Sequence, residues 1–313
     1  MILFVGAVVI GLVLLAFASD QFVIGSSRIA VMARIAPIII GAVVIGFGTS
    51  LPELLVTIIA ATDGSADIAV GNAVGSNIAN LTLVLGAAAL VSPLVVRSQT
   101  IRREAPLSAA AVILLALLVQ GGLGRPEGIV LVAALGVALG LLMAWRRTAD
   151  DPLEPELQES MADMGSGSLR RESLRTLIGL AGTLAGAQLL VTGAQGISDD
   201  VGLSEGFVGL TIVAVGTSLP ELFTGIQAAR RGESDLIVGN VLGSNIFNSL
   251  GIAGTAALID PGQLDSAITT AGAIAMSGLA LLTWAGMATR GRLDRWEGVL
   301  LLLLYAGLVP LLL

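Results

Sequence analysis

The chain has 313 residues, 55% hydrophobic and only 12% charged, with a net charge of −7 and a mean hydropathy of +0.93. Soluble domains carry about 25% charged residues, so apolar runs this dense place most of the chain in lipid. With no Cys, His or Lys, disulfides and thiolate or imidazole metal sites are excluded; any ion must be held by oxygen, which suits sodium, calcium and magnesium.

A helix needs about 20 apolar residues to cross the hydrocarbon core. That rule predicts an all-α polytopic membrane protein with ten transmembrane helices, over roughly 2–27, 37–61, 67–91, 105–121, 127–145, 174–197, 206–228, 236–259, 265–287 and 296–313. The first span is apolar from Ile2, with no basic segment before it and no evident cleavage site, and reads as a retained helix rather than a signal peptide. It carries Asp20, expected to snorkel or to pair with Arg28 near the cytoplasmic end. The second span holds GTSLPE at 48–53 and the third holds GNxxGSNIxN at 71–80. After the fifth, residues 147–173 form the one long polar stretch, rich in Pro, Gly, Ser and acids; a flexible cytoplasmic linker is expected, and no EF-hand pattern marks it as a cation site. The seventh span repeats GTSLPE at 216–221 and the eighth repeats GNxxGSNIxN at 239–248.

The loops after spans one, three, five, seven and nine hold fifteen of the sixteen arginines, all but Arg125. The positive-inside rule puts them in the cytoplasm and both termini outside. Asp63, Asp67, Glu127, Asp199, Asp200, Glu205, Asp260 and Asp265 then face outward, either to concentrate cations or as ordinary polar loop residues.

The motifs belong to an internal repeat. VVIGFGTSLPELLVTIIAA (43–61) returns as IVAVGTSLPELFTGIQAA (212–229), and IAVGNAVGSNIANLTLVLG (68–86) as LIVGNVLGSNIFNSLGIAG (236–254), at a constant offset of 168. Gly25 pairs with Gly193, Gly41 with Gly209, Glu53 with Glu221, Asn72 with Asn240 and Pro93 with Pro261. The expected organisation is a first five-helix repeat over 1–146, the linker, and a second five-helix repeat over 174–313. Five spans is an odd number, so the second copy is inverted, an arrangement typical of secondary transporters with a site at the midplane.

A carboxylate at bilayer depth costs roughly 2.5–3.5 kcal/mol on insertion scales, and Glu53 and Glu221 occupy equivalent places with no Arg inside either span. A bound cation is the simplest compensation. Pro52 and Pro220 have no N–H, so the carbonyls of Gly48 and Gly216 are expected to lose their helical partners and line a cavity. Thr49 and Glu53 share a helix face, as do Thr217 and Glu221, with Ser50 and Ser218 beside them. Ser76 with Asn80, and Ser244 with Asn248, add neutral oxygens at the same four-residue spacing. Asn77 and Asn245 suit capping or interhelical hydrogen bonds. Gly71, Gly75, Gly239 and Gly243 suit close helix packing.

GTSLPE and GNxxGSNIxN on two inverted five-span halves resemble the alpha-repeats of the cation/calcium exchanger superfamily, in its prokaryotic sodium/calcium exchanger branch. The likeness spans nearly the whole chain. It implies that Glu53 and Glu221 bind calcium in competition with sodium, that Thr49, Ser50, Ser76, Asn80, Thr217, Ser218, Ser244 and Asn248 complete the sites, and that the carbonyls of Gly46 and Ala214 lie at ligand positions. It implies that the first and sixth helices slide across the core. Calcium and sodium would be the transported ions, with no cofactor and no nucleic-acid partner, and a monomer in the plasma membrane would suffice. Asn248 stands where some prokaryotic members and the potassium-dependent branch carry Asp, which disfavours potassium co-transport. Ala73 and Val241 follow GN where the proton/calcium branch has an acid. A proton/calcium antiporter using the same glutamates is the alternative, and a channel remains open; an intramembrane enzyme lacks a His or Cys partner for Ser50 or Ser218.

Overall fold

The computed structural model describes residues 1–32, 50–147 and 168–313. They form eleven main helices and one two-stranded sheet. We label these α1 (Ile2–Met32), α2 (Leu51–Thr62), α3 (Ala66–Val91), α4 (Glu104–Leu118), α5 (Arg125–Arg147), α6 (Leu169–Val201), α7 (Glu205–Thr217), α8 (Leu219–Arg231), α9 (Ser234–Ile259), α10 (Ala267–Arg290) and α11 (Arg295–Leu308). Strands β1 (Leu94–Val95) and β2 (Arg292–Leu293) pair antiparallel. Among the described residues seven helices are long and apolar enough to cross a membrane, or eight if α7 and α8, which meet at 44°, count as one broken span. The expected second span is described only from residue 50 onward.

The two helices carrying GNxxGSNIxN form the centre. In α3 and α9, 78% and 72% of the apolar window is buried, against 17% in α5 and 28% in α1. The peripheral helices turn residues such as Ile129, Val137, Val9 and Ile10 outward, the pattern lipid requires. Small residues set the approach of α3 to α7: a Cβ on Gly71 would come within 3.1 Å of the Gly206 carbonyl, and one on Gly209 within 2.9 Å of the Ile68 carbonyl. The packing expected of Gly71 and Gly75 is therefore present; for Gly239 and Gly243 no described residue comes as close.

Helices α1 and α6 lie antiparallel along their whole length. Gly11 meets Gly186 and Leu190 while Gly179 meets Ala18 and Phe22; Gly25 meets Glu172 and Thr176 while Gly193 meets Phe4 and Val8. Each contact becomes its partner when 168 is added or subtracted. The straps beyond the core lie at corresponding places in the two halves, with a register that differs by two residues from the exact offset. Val96 N–H donates to the Gly291 carbonyl at 2.8 Å beside the β1–β2 pair, and Leu123 and Gly262 exchange both backbone hydrogen bonds at 2.9 and 3.1 Å.

Two details depart from the sequence reading. The sixth helix begins at Leu169, ahead of the apolar run at 174, because Glu172 is buried and accepts from Arg28 at 3.0 Å, with Arg175 at 3.6 Å. Arg28 is thus spent on Glu172. Asp20 is therefore not its partner; of the two expectations for this acid, exposure to the surface fits snorkelling, and Asp20 accepts from Gln21 Nε2 at 3.0 Å.

Charges separate along the helix axes. At one end Asp67 accepts from Asp265 N–H at 2.7 Å, Glu205 from Ser65 at 3.2 Å and Asp63 from Gln188 at 2.9 Å, and the amino terminus meets Asp200. At the other, Arg97 pairs with Asp235 at 2.7 Å, and Arg290 and Arg292 pair with Asp294 at 3.7 and 3.2 Å. The eight acids expected to share a face include those of the first group.

Candidate ion site

In both GTSLPE segments the serine leaves helical geometry and opens a new helix. Ser50 has φ −89° and ψ 10°, and Ser218 has φ −84° and ψ 4°. Each is followed by a helix with Pro in its first turn, where a missing N–H costs nothing, and by a fully buried glutamate, Glu53 or Glu221. The break turns each serine toward the other repeat. Ser50 Oγ donates to Glu221 Oε1 at 3.4 Å and Ser218 Oγ donates to Glu53 Oε1 at 3.4 Å, a crossed pair of contacts. Ser50 Oγ also lies 3.1 Å from Ser244 Oγ. The two carboxylates are close enough to act on each other coulombically. No basic residue lies in α2, α3 or α9, and α8 has its arginines in the last turn, Arg230 and Arg231.

Asn72 fixes Glu53 from behind. Its Nδ2 donates to the Glu53 carbonyl and to Thr57 Oγ1, both at 3.1 Å, and its Oδ1 accepts from Thr217 Oγ1 at 3.0 Å. One buried amide thereby joins α2, α3 and α7. The Ala214 carbonyl accepts from Ser218 N–H at 3.0 Å and from Thr217 Oγ1 at 3.2 Å. Thr49 and Gly46, and the Gly48 carbonyl, lie outside the described residues.

Asn80 and Asn248 sit in π-helical turns, Asn80–Val84 and Phe247–Ile252. The widened turn adds a residue to the helix and re-aims the side chains around it, a device frequent at functional sites. The first π-turn packs against α8 and α9, and the second against α2 and α3, so each brings its asparagine to the opposite glutamate-bearing segment. A third π-turn, Gly209–Val213, runs directly into Ala214.

The cluster holds several oxygens without a partner. Among the described residues, Glu53 Oε2, Ser76 Oγ, Asn80 Oδ1 and both amide atoms of Asn248 are buried without a hydrogen-bond partner. Buried polar atoms are nearly always paired, and leaving one unpaired costs about 1–3 kcal/mol. Two carboxylates with neutral hydroxyl and amide oxygens are the donors hard cations take.

The sodium/calcium exchanger protein family matches residues 3–144 and 174–313, nearly all of the chain. The chain belongs to this family. It is 41% identical over 306 residues to the putative antiporter CaxA of Alkalimonas amylolytica, covering 96% of this chain and 95% of that one. It is 29% identical to the sodium/calcium exchanger MaX1 of Methanosarcina acetivorans over 97% of this chain and 96% of that one. Among solved structures, the sodium-calcium exchanger NCX_Mj soaked with sodium superposes at a TM-score of 0.66 with 33% identity, covering 99% of this chain and 98% of that one.

The structure gathers Ser50, Glu53, Ser218, Glu221 and Ser244 through direct contacts, and it buries Ser76 and Asn80 in α3 and Asn248 in α9. Sequence reasoning pairs Asn72 with Asn240 but gives it no part in the site. Its place in GN, just ahead of the glycine-serine-asparagine run, is the available signal. Nothing local marks Ser249 or Met276, which hold Asn77 at 2.8 and 3.2 Å.

Proposed function

We propose that the chain is a secondary active antiporter that exchanges sodium for calcium across the plasma membrane by alternating access, with the sodium gradient driving calcium outward. The observation that carries this reading is the crossed Ser50–Glu221 and Ser218–Glu53 contact between two fully buried carboxylates. Two buried negative charges are neutralised by one calcium ion or by two sodium ions. Shared ligands make the ions exclude each other. Apolar helices can slide only over a neutralised core, because bare charge in lipid is costly, and this couples the two fluxes without covalent chemistry or a cofactor.

Glu53, Glu221, Ser50, Ser218, Ser76, Ser244, Asn80, Asn248, Thr217 and Thr49, with the carbonyls of Gly46 and Ala214, are the proposed ligands. Ten helices in two inverted five-helix repeats, 1–146 and 174–313, joined by a cytoplasmic linker, would build the site. The exchange of α1–α6 contacts by 168 residues between antiparallel helices supports that arrangement, and the similarity to the sodium/calcium exchangers MaX1 and NCX_Mj supports the exchange of those two ions. The acidic end would face outside with both termini, and a single chain in the bilayer would suffice. The test is calcium uptake into proteoliposomes loaded with sodium, at fixed pH and with potassium varied. Uptake should require internal sodium and ignore potassium. Uptake driven equally by a pH gradient without sodium would replace this reading with proton/calcium antiport.

A further inference from the structure

The four asparagines of the two GSNIxN runs are not used alike. Asn80 Nδ2 donates to Asn245 Oδ1 at 3.3 Å, across the repeat boundary. With its nitrogen held, Asn80 leaves Oδ1 unpaired among the described residues, and Asn245 Nδ2 is likewise unpaired. The offset of 168 converts this contact into one between Asn248 and Asn77. That contact is absent among the described residues. Asn77 Nδ2 donates instead to Ser249 Oγ at 2.8 Å and lies 3.2 Å from Met276 Sδ, which fixes the amide by its nitrogen and leaves Asn77 Oδ1, like both amide atoms of Asn248, without a hydrogen-bond partner among the described residues. The difference is written in the sequence. Ser249 and Met276 correspond to Leu81 and Ser108, and a leucine offers no acceptor to divert Asn245.

We infer that Asn245 is a positioning residue for the ion site: it holds the Asn80 carboxamide with its oxygen turned toward the cation, while Ser249, by engaging Asn77, leaves the Asn248 carboxamide free to turn. The inference rests on the cation-binding reading above and deepens it. A carboxamide binds a cation only through oxygen; an amide free to rotate must be ordered at each binding event, and its nitrogen end can also donate to a carboxylate when no ion is present. Fixing the ligand beforehand removes that cost, which is how residues one layer behind a metal ligand raise affinity. The two halves of the site therefore differ, with a preset amide oxygen at Asn80 and an adjustable one at Asn248.

The test measures calcium uptake by proteoliposomes and calcium-dependent thermal stabilisation of the purified full chain. Asn245→Leu should raise the half-saturating calcium concentration roughly 10–100-fold with the maximal rate retained. Asn245→Asp keeps an acceptor for Asn80 Nδ2 and should not raise it. On an Asn80→Asp background, where either oxygen serves, adding Asn245→Leu should not raise it further. A fall in maximal rate alone, an unchanged half-saturation in Asn245→Leu, or an equal rise on the Asn80→Asp background would overturn the inference. Should Asn245→Leu not fold, Ser249→Leu decides: it frees Asn77 to hold Asn248 and should lower the half-saturating concentration, and no change would count against the inference. If the wild-type chain neither takes up nor is stabilised by calcium, the cation-binding reading itself fails.

Discussion

Replacing Glu53 by glutamine separates a charge-matched calcium site from a general oxygen pocket. The glutamine keeps an oxygen in the same place and removes one charge from a side chain that is fully buried. At an effective dielectric of about 20, two unit charges about 4 Å apart attract by about 4 kcal/mol. The substitution thus costs a single sodium ion about 4 kcal/mol and a calcium ion, with twice the charge, about 8 kcal/mol. The repulsion between Glu53 and Glu221 exists with and without the ion and largely cancels. The surviving difference of about 4 kcal/mol is a shift on the order of a thousandfold in calcium affinity relative to one sodium ion. Ion-dependent thermal stabilisation of detergent-solubilised protein reads both affinities in one assay, since a ligand at about a hundred times its Kd adds about 2.7 kcal/mol. The Glu53→Gln protein should lose stabilisation by calcium and keep a weakened response to sodium. Equal losses for the two ions, or calcium affinity within about tenfold of the parent, would refute the charge-matching argument.

Three further outcomes follow from the packing. Asn72→Leu removes the hydrogen bonds of Asn72 to the Glu53 carbonyl, Thr57 and Thr217 that join α2, α3 and α7, and should cost about 0.5–1.5 kcal/mol per lost bond, seen as a lower Tm and slower uptake. Gly75→Ala places a methyl against the Leu210 carbonyl and 2.6 Å from Ala214 Cβ; overpacking of this kind costs about 1–3 kcal/mol, and uptake should fall because the strain sits beside the site. Asp294→Ala removes the reciprocal cap in which Asp294 and Glu297 serve the first turn of α11; it should cost about 1 kcal/mol and leave the half-saturating calcium concentration unchanged.

Much of this architecture is legible in the chain itself. Apolar length gives the helices, and the two prolines announce the breaks at Ser50 and Ser218. The constant offset identifies which residues must be compared. Composition misleads where polar residues lie inside structure: RRES reads as linker, yet the helix starts at Leu169 because Glu172 has Arg28 as a partner 144 residues away. No local rule places that partner, and the same distance problem hides the true fate of Asp20. The π-turns are invisible in the sequence because the inserted residue changes hydrogen-bond register rather than hydropathy. The asymmetry of Asn77 and Asn245 depends on Ser249 and Met276, which matter only through side-chain geometry across helices. The glutamates, hydroxyls and amides of the proposed site are suggested by the sequence because a carboxylate without a counter-charge is conspicuous in an apolar span.

The pairing of Asp67 with the backbone of Asp265, and of Arg97 with Asp235, has a consequence for how the molecule sits in a bilayer. Positions 67 and 265 become 235 and 97 when the repeat offset is applied. One location thus holds two acids joined through an N–H, and its counterpart holds an ion pair. In the inverted arrangement proposed above, a duplicated core alone would have no preferred face. These substitutions would give it a heading: a cation approaching from one side would meet two acids, and from the other an acid already paired with its arginine.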